Sequence, residues 1–204
     1  MVRDAFKETV NVRFEGNNYS EEWVVEAKKR GLPNVRSTPE ALRQLVTKES
    51  RELFSSLRIL SKEELDSRYH VRLERYAKDM LIEMHTMAEM IDTMVLPGGY
   101  AYLGVLADAS AKAKTAGITV VPQVAAANEV GKLITELHKS GAALHAAVDK
   151  AELLHHDAER QAALLTSRGA DAMAKVRSAS DALELVIGDE YWPLPRYREM
   201  LFPV

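Results

Sequence analysis

The segment that most limits what this chain can fold into begins at Ser61-Lys62-Glu63-Glu64. Ser and Glu three residues apart form a capping box, in which each side chain satisfies the other residue's backbone N–H. From there no Pro or Gly occurs until Pro97-Gly98-Gly99. Apolar side chains recur at Leu65, Tyr69, Leu73, Tyr76, Met80, Met84, Met87, Ile91 and Met94. Steps of three and four residues place all of these on one stripe of a helix of about nine turns, at 3.6 residues per turn. So long an amphipathic helix needs partners along its whole length, which points to a mainly α protein built as an antiparallel helical bundle.

The following segments supply the partners. Tyr100–Thr115 is Ala-rich and predicts a helix ending at Gly117, and Ile118-Thr119-Val120-Val121-Pro122 reads as an extended connector. A second long helix is expected over 123–165, where Val130, Leu137, Leu144, Ala151, Ala158 and Leu165 repeat every seven residues as a heptad seam. Ala127, Ala147 and Ala162 would let neighbours approach closely, and Gly131 and Gly141 mark close packing or a bend. A last helix, 169–187, presents Met173, Val176, Leu183 and Ile187. The tail Tyr191-Trp192-Pro193-Leu194-Pro195-Arg196-Tyr197 cannot be helical through its prolines, so its aromatics are expected to dock on the bundle.

Residues 1–60 read differently from 61–204. Thr9-Val10-Asn11-Val12-Arg13-Phe14 alternates apolar and polar with β-branched residues, the pattern of a half-buried strand. Gly16-Asn17-Asn18 punctuates it as a turn. Ser20 is placed to cap a helix 20–30, with Glu21 and Glu22 in its first turn and Lys28, Lys29 and Arg30 in its last. Gly31 follows as a left-handed stop. Thr38 and Pro39 open a short helix whose buried face is Leu42, Leu45 and Val46. The expectation is a strand-turn-helix extension and linker helices ahead of a helical bundle domain. A single strand needs a partner from elsewhere.

Composition sets the remaining bounds. The 204 residues hold 27 Lys+Arg and 30 Asp+Glu, for a net charge of −3. That balance gives no electrostatic basis for nucleic acid or an anionic membrane as partner. The absence of Cys removes disulfides, thiolate metal sites and a Cys nucleophile. Met1 is followed by charged residues rather than an apolar secretory leader. No stretch reads as the roughly 20 uncharged apolar residues of a membrane span.

Few residues suggest chemistry. Glu152-Leu153-Leu154-His155 is a Glu-x-x-His on a helix, half of what a di-iron bundle needs, and a second copy does not occur. The same residues read as neighbours on a polar face. His85 and Glu89, with Glu83 and Asp92 nearby, fit a solvated face equally well. Met80, Met84, Met87, Met90 and Met94 read as core filling or as an adaptable groove. Gly98-Gly99 is too little for a phosphate cradle, and Lys28-Lys29-Arg30 is explained by its helix end. The residues themselves therefore nominate no catalytic, cofactor-binding or metal-binding side chain.

Several segments are similar to a known family. Phe14-Glu15-Gly16-Asn17-Asn18-Tyr19-Ser20-Glu21-Glu22-Trp23, Glu26-Ala27 and Arg30-Gly31-Leu32-Pro33-Asn34 resemble the C-terminal region of type III glutamine synthetases. The resemblance continues through Thr38-Pro39-Glu40-Ala41-Leu42, Leu53-Phe54, Glu64-Leu65, Ser67-Arg68, Tyr76 and Ile82-Glu83. It closes with Tyr191-Trp192-Pro193-Leu194-Pro195 and Leu201-Phe202, while the Ala-rich middle is similar only in character. The resemblance implies a parent that makes glutamine from glutamate, ammonia and ATP with divalent metal (Mg), through a γ-glutamyl phosphate, in stacked hexameric rings. It implies that the glutamate, nucleotide and metal ligands lie upstream, so no catalytic residue transfers to this chain. The chain is then expected to be a C-terminal piece, cytoplasmic and without ligase activity of its own. Its expected partners are the catalytic domain and neighbouring subunits of a homo-oligomer. The orphan strand would join that catalytic domain. The alternatives are a free-standing helical oligomerisation module and a metal-carboxylate bundle using Glu152 and His155.

Overall fold

A computed structural model describes residues 2–201, which leaves Met1, Phe202, Pro203 and Val204 outside the described residues. The described chain is mainly α, with no strand. The helices are α1 (Val2–Glu8), α2 (Glu21–Lys29), α3 (Thr38–Arg43), α4 (Lys48–Ser56), α5 (Lys62–Met90), α6 (Leu96–Thr115), α7 (Val121–Glu152), α8 (Ala158–Leu164), α9 (Ala170–Glu184) and α10 (Tyr197–Leu201).

The capping box is present: Ser61 Oγ accepts from Glu64 N–H and the Glu64 carboxylate accepts from Ser61 N–H. The helix it opens does not stop at Pro97. A π turn, Ile91–Val95, joins α5 to α6, and the helix runs unbroken over Lys62–Thr115. Pro97 has no N–H for the carbonyl of residue 93, and its ring crowds that carbonyl. The widened turn just before it relieves both problems. The same widening moves the inward position from Met94, which is exposed, to Val95 and Leu96, which are buried. The rest of the stripe is inward as expected, with Leu65, Leu73 and Met84 fully buried. Within Lys62–Thr115, one 18-residue window is apolar enough to cross a bilayer by length and composition alone. This corrects the reading that no stretch qualifies. Within the same helix Gly99 packs against Ile134 and Leu183.

The second long helix breaks where the sequence shows no Pro or Gly. α7 ends at Glu152, and α8 restarts at Ala158 with Asp157 as its cap, accepting from Arg160 N–H at 3.0 Å. At the break the Ala151 and Glu152 carbonyls accept the backbone N–H groups of Leu154 and His155 and take side-chain donors as well. Gln161 Nε2 donates to the Ala151 carbonyl at 2.9 Å, and the His155 ring N–H donates to the Glu152 carbonyl at 2.9 Å. From Ala158 the helix continues through a second π turn, Leu165–Gly169, into α9, so the expected boundary near Gly169 is absent. Gly169 lets Met84 approach: an added Cβ would lie 3.1 Å from Met84 Sδ. The heptad seam holds across both pieces, with Val130, Leu137, Leu144, Ala151 and Leu165 buried.

Along the long helix and α7 the contacts run in opposite order. His85 meets Glu152, Asp92 meets His145, and Gly99 meets Ile134. α7 also packs on α9, and the three helices enclose the main core with Ile187 and Trp192. A smaller cluster joins Leu42 of α3 to Tyr69, Leu73 and Ala162, with Leu45 and Val46 packed beside it as expected. Tyr69 O–H donates to Glu159 at 2.8 Å, and Tyr76 shares a hydrogen bond with Thr166, tying α5 to α8 and the π turn after it.

The expected strand over residues 9–14 is not formed. Val10–Val12 is a 3-10 turn after α1, and Val10 and Val12 are exposed. No second strand exists among the described residues to complete a ladder, so local turns take its place. Instead Phe14 stacks on Trp23 with centroids 4.7 Å apart, and Arg30 reaches back to the carbonyls of Val10 and Arg13. Ser20 occupies the cap position of α2, but its hydroxyl donates to the Asn17 carbonyl rather than capping. The cap of α3 is Ser37, one residue before the expected Thr38. Gly31 has φ of +71°, the left-handed stop the sequence calls for.

The aromatic-proline tail docks on the core. Trp192 is buried, and Tyr191 packs near Tyr102 with centroids 5.5 Å apart. A Cβ at Gly98 would overlap the Tyr191 carbonyl oxygen, so this glycine admits the tail backbone. Arg196 Nε lies 2.8 Å from Asp189 Oδ1, and Arg198 pairs with the other carboxylate oxygen.

Candidate functional site

The candidate residues fall on the seam between the long helix and α7, but not in the pairs their sequence spacing suggests. His85 Nε2 lies 2.9 Å from Glu152 Oε1, and His145 Nε2 lies 2.8 Å from Asp92 Oδ2. An ionised carboxylate only accepts, so each imidazole donates. Both pairs are spaced by seven residues on each helix (85 and 92, 145 and 152), and both are about half exposed. They bridge the two helices on an open surface, where such pairs contribute roughly 0–1 kcal/mol each.

Glu152 and His155 are therefore not brought together as ligands. The Glu152 carboxylate faces His85, while the His155 ring bonds the Glu152 backbone and stacks against His156 at 3.5 Å between centroids. Glu89 forms no pair with His85. Among the described residues no three His, Asp or Glu side chains converge to hold a metal ion. Gly98-Gly99 is a packing contact with the tail and with Ile134 and Leu183, inside a helix rather than at a loop. Arg30 is engaged with Glu26 at 2.8 Å and with the Val10 and Arg13 carbonyls. The hydrogen bond to Arg30 holds the Glu26 carboxyl below its ordinary range.

The methionines divide between core and groove. Met84 is fully buried, and Met80 and Met87 pack partly buried against the core. Met87 and Met90 also line a groove of about 650 Å³ between α5, α9 and the tail. Sequence spacing could not reveal that groove, because its far wall comes from Met173 and Trp192, distant in sequence. The crossed His–carboxylate pairs carried a faint signal in their shared seven-residue spacing.

Comparison with known proteins decides the family. The sequence model of the glutamine synthetase C-terminal domain matches residues 1–114, which is more than half of the chain. The chain belongs to the glutamine synthetase C-terminal domain family. Whole-length relatives agree. A glutamine synthetase of Butyrivibrio fibrisolvens is 34% identical over 98% of this chain and 29% of its own length. A type-3 glutamine synthetase of Dictyostelium discoideum is 31% identical over 99% of this chain and 28% of its own length. A glutamine synthetase of Bacteroides fragilis (strain YCH46) is 31% identical over 94% and 27%. This glutamine synthetase C-terminal domain thus spans under a third of the length of the relatives it matches. The family match ends at the close of α6, whereas the relatives align through α7, α9 and the tail as well.

Proposed function

We propose that the chain is the helical C-terminal domain of a type III glutamine synthetase and works there as a structural part. Glutamate, ammonia, ATP and Mg2+ would be handled by the catalytic domain of the same enzyme, in the cytoplasm. The observation that carries this reading is the coverage: relatives align over 94–99% of this chain yet are more than three times as long. The architecture supports it. A continuous helix of 54 residues extends about 80 Å at 1.5 Å per residue, long enough to brace one domain against another. The test is direct. Pure chain incubated with glutamate, ammonium, ATP and Mg2+ is expected to form no glutamine, and measurable turnover would overturn the reading.

Contacts with neighbouring subunits belong to the same proposal. Ile118, Val121 and Val124 stand 60%, 67% and 45% exposed around the turn between α6 and α7. Apolar side chains clustered in this way are suited to an interface. The chain is expected to self-associate, and Val121→Glu with Val124→Glu to shift it toward monomer by light scattering. An unchanged mass distribution would remove this surface from the account.

A further inference from the structure

α7 turns Val130, Ile134, Leu137 and Leu144 into the core and leaves its opposite side exposed. The two ends of that exposed side are uncharged, with Val121, Val124 and Ala125 at one and Ala142, Ala143 and Ala146 at the other. Between them stand Glu129, Lys132, Glu136 and Lys139, all exposed. None of these four forms an ion pair among the described residues, although Lys132 and Glu136 lie one helical turn apart. Their order is self-complementary. Lys132 and Glu136 stand two positions either side of Ile134, and Glu129 and Lys139 five positions either side. A two-fold axis level with Ile134 therefore sets Lys132 against Glu136 of a second copy and Glu129 against its Lys139, each pair occurring twice. The same axis lays the valine end over the alanine end, with Ala125 opposite Ala143. Beside the axis a hollow of about 740 Å³ opens along Asn128, Gly131 and Thr135. No atom lies within 4 Å of where a Gly131 Cβ would stand, which leaves room for a side chain of the second copy.

We propose that this face of α7 pairs antiparallel with the same face of a second copy, about that axis. Opposed charges fix the register, and a parallel arrangement is disfavoured because it brings like charges together. The inference rests on the reading that the chain self-associates, and adds the partner surface and its register. The face from Val121 to Ala146 runs about 40 Å at 1.5 Å per residue, and one helix is about 10 Å wide. That gives roughly 400 Å² per copy, against about 800 Å² in a standard stable interface. By itself the contact therefore holds a concentration-dependent pair.

Sedimentation velocity of the full chain over a wide concentration range tests the pairing. Lys132→Glu and Glu136→Lys should each weaken the pair about tenfold, because each change turns two attractions into repulsions. A net-charge effect would instead weaken it in the first and strengthen it in the second, since the chain already carries −3. An equimolar mixture of the two single variants should regain the affinity of the unmodified chain, because every reversed charge then meets its opposite across the axis. The Lys132→Glu/Glu136→Lys chain should regain it alone. Unchanged or opposed effects of the two single changes, or no recovery in the mixture and the doubly changed chain, would overturn the pairing and leave self-association standing. A chain that stays monomeric at every concentration would overturn both readings.

Discussion

Two glycines in helices, identical in propensity, meet opposite surroundings. At Gly131 an added Cβ meets no atom within 4 Å, whereas at Gly98 it overlaps a backbone oxygen that cannot rotate away. Replacing helical Gly by Ala gains about 1 kcal/mol where space is open. Overpacking against fixed atoms costs about 1–3 kcal/mol. Urea denaturation should therefore find Gly131→Ala more stable by up to about 1 kcal/mol and Gly98→Ala less stable, with the tail displaced. Equal effects would mean that the tail does not seat on Gly98. Acid provides a second probe of the same tail. The hydrogen bond from Arg198, aided by the charges of Arg196 and Arg198, holds the Asp189 carboxyl below its ordinary value of 3.8. A carboxyl depressed on folding stabilises above its ordinary value and loses that contribution as pH falls through the depressed one. With Trp23→Phe leaving Trp192 as the only tryptophan, its emission should hold steady down to about pH 4. It should shift to the red below the ordinary value of 3.8. Asp189→Asn should abolish that acid step, and its persistence would detach the step from this carboxyl.

Helices were legible in the sequence wherever a side-chain pattern or cap was local, and illegible where distant groups decided. The stripe from Leu65 to Ile91 and the Ser61–Glu64 box are local, and both stand. The break at 153–157 is bridged by Gln161 reaching back to Ala151, a hydrogen bond that no window of propensity contains. Pro97 reads as a stop, yet a π turn carries the helix past it. The strand pattern at 9–14 fails because alternation reports a surface to bury, not the partner strand that must bury it. The break itself is testable. If Asp157 caps a new helix, Asp157→Ala should cost about 1 kcal/mol and speed amide exchange at 158–161. If α7 and α8 were one helix, the same change would stabilise it, because Ala propagates a helix better than Asp.

At the level of the whole molecule, the core is shared by the long helix, α7, α9 and the docked tail. Beside that core, a hydrogen bond between residues 90 positions apart, Tyr69 and Glu159, ties α5 to α8. The two His–carboxylate pairs, His85–Glu152 and Asp92–His145, lie on an open helix seam, and among the described residues no three His, Asp or Glu side chains converge to hold a metal ion. A body of this kind makes sense as part of something larger, in line with relatives more than three times its length. The measurement that bears most directly on that claim is the mass of the native polypeptide, read by immunoblot of source cells with antibody raised against this chain. The account predicts a band several times heavier than 22.8 kDa. A single band at 22.8 kDa would contradict it and leave a free-standing helical module in its place.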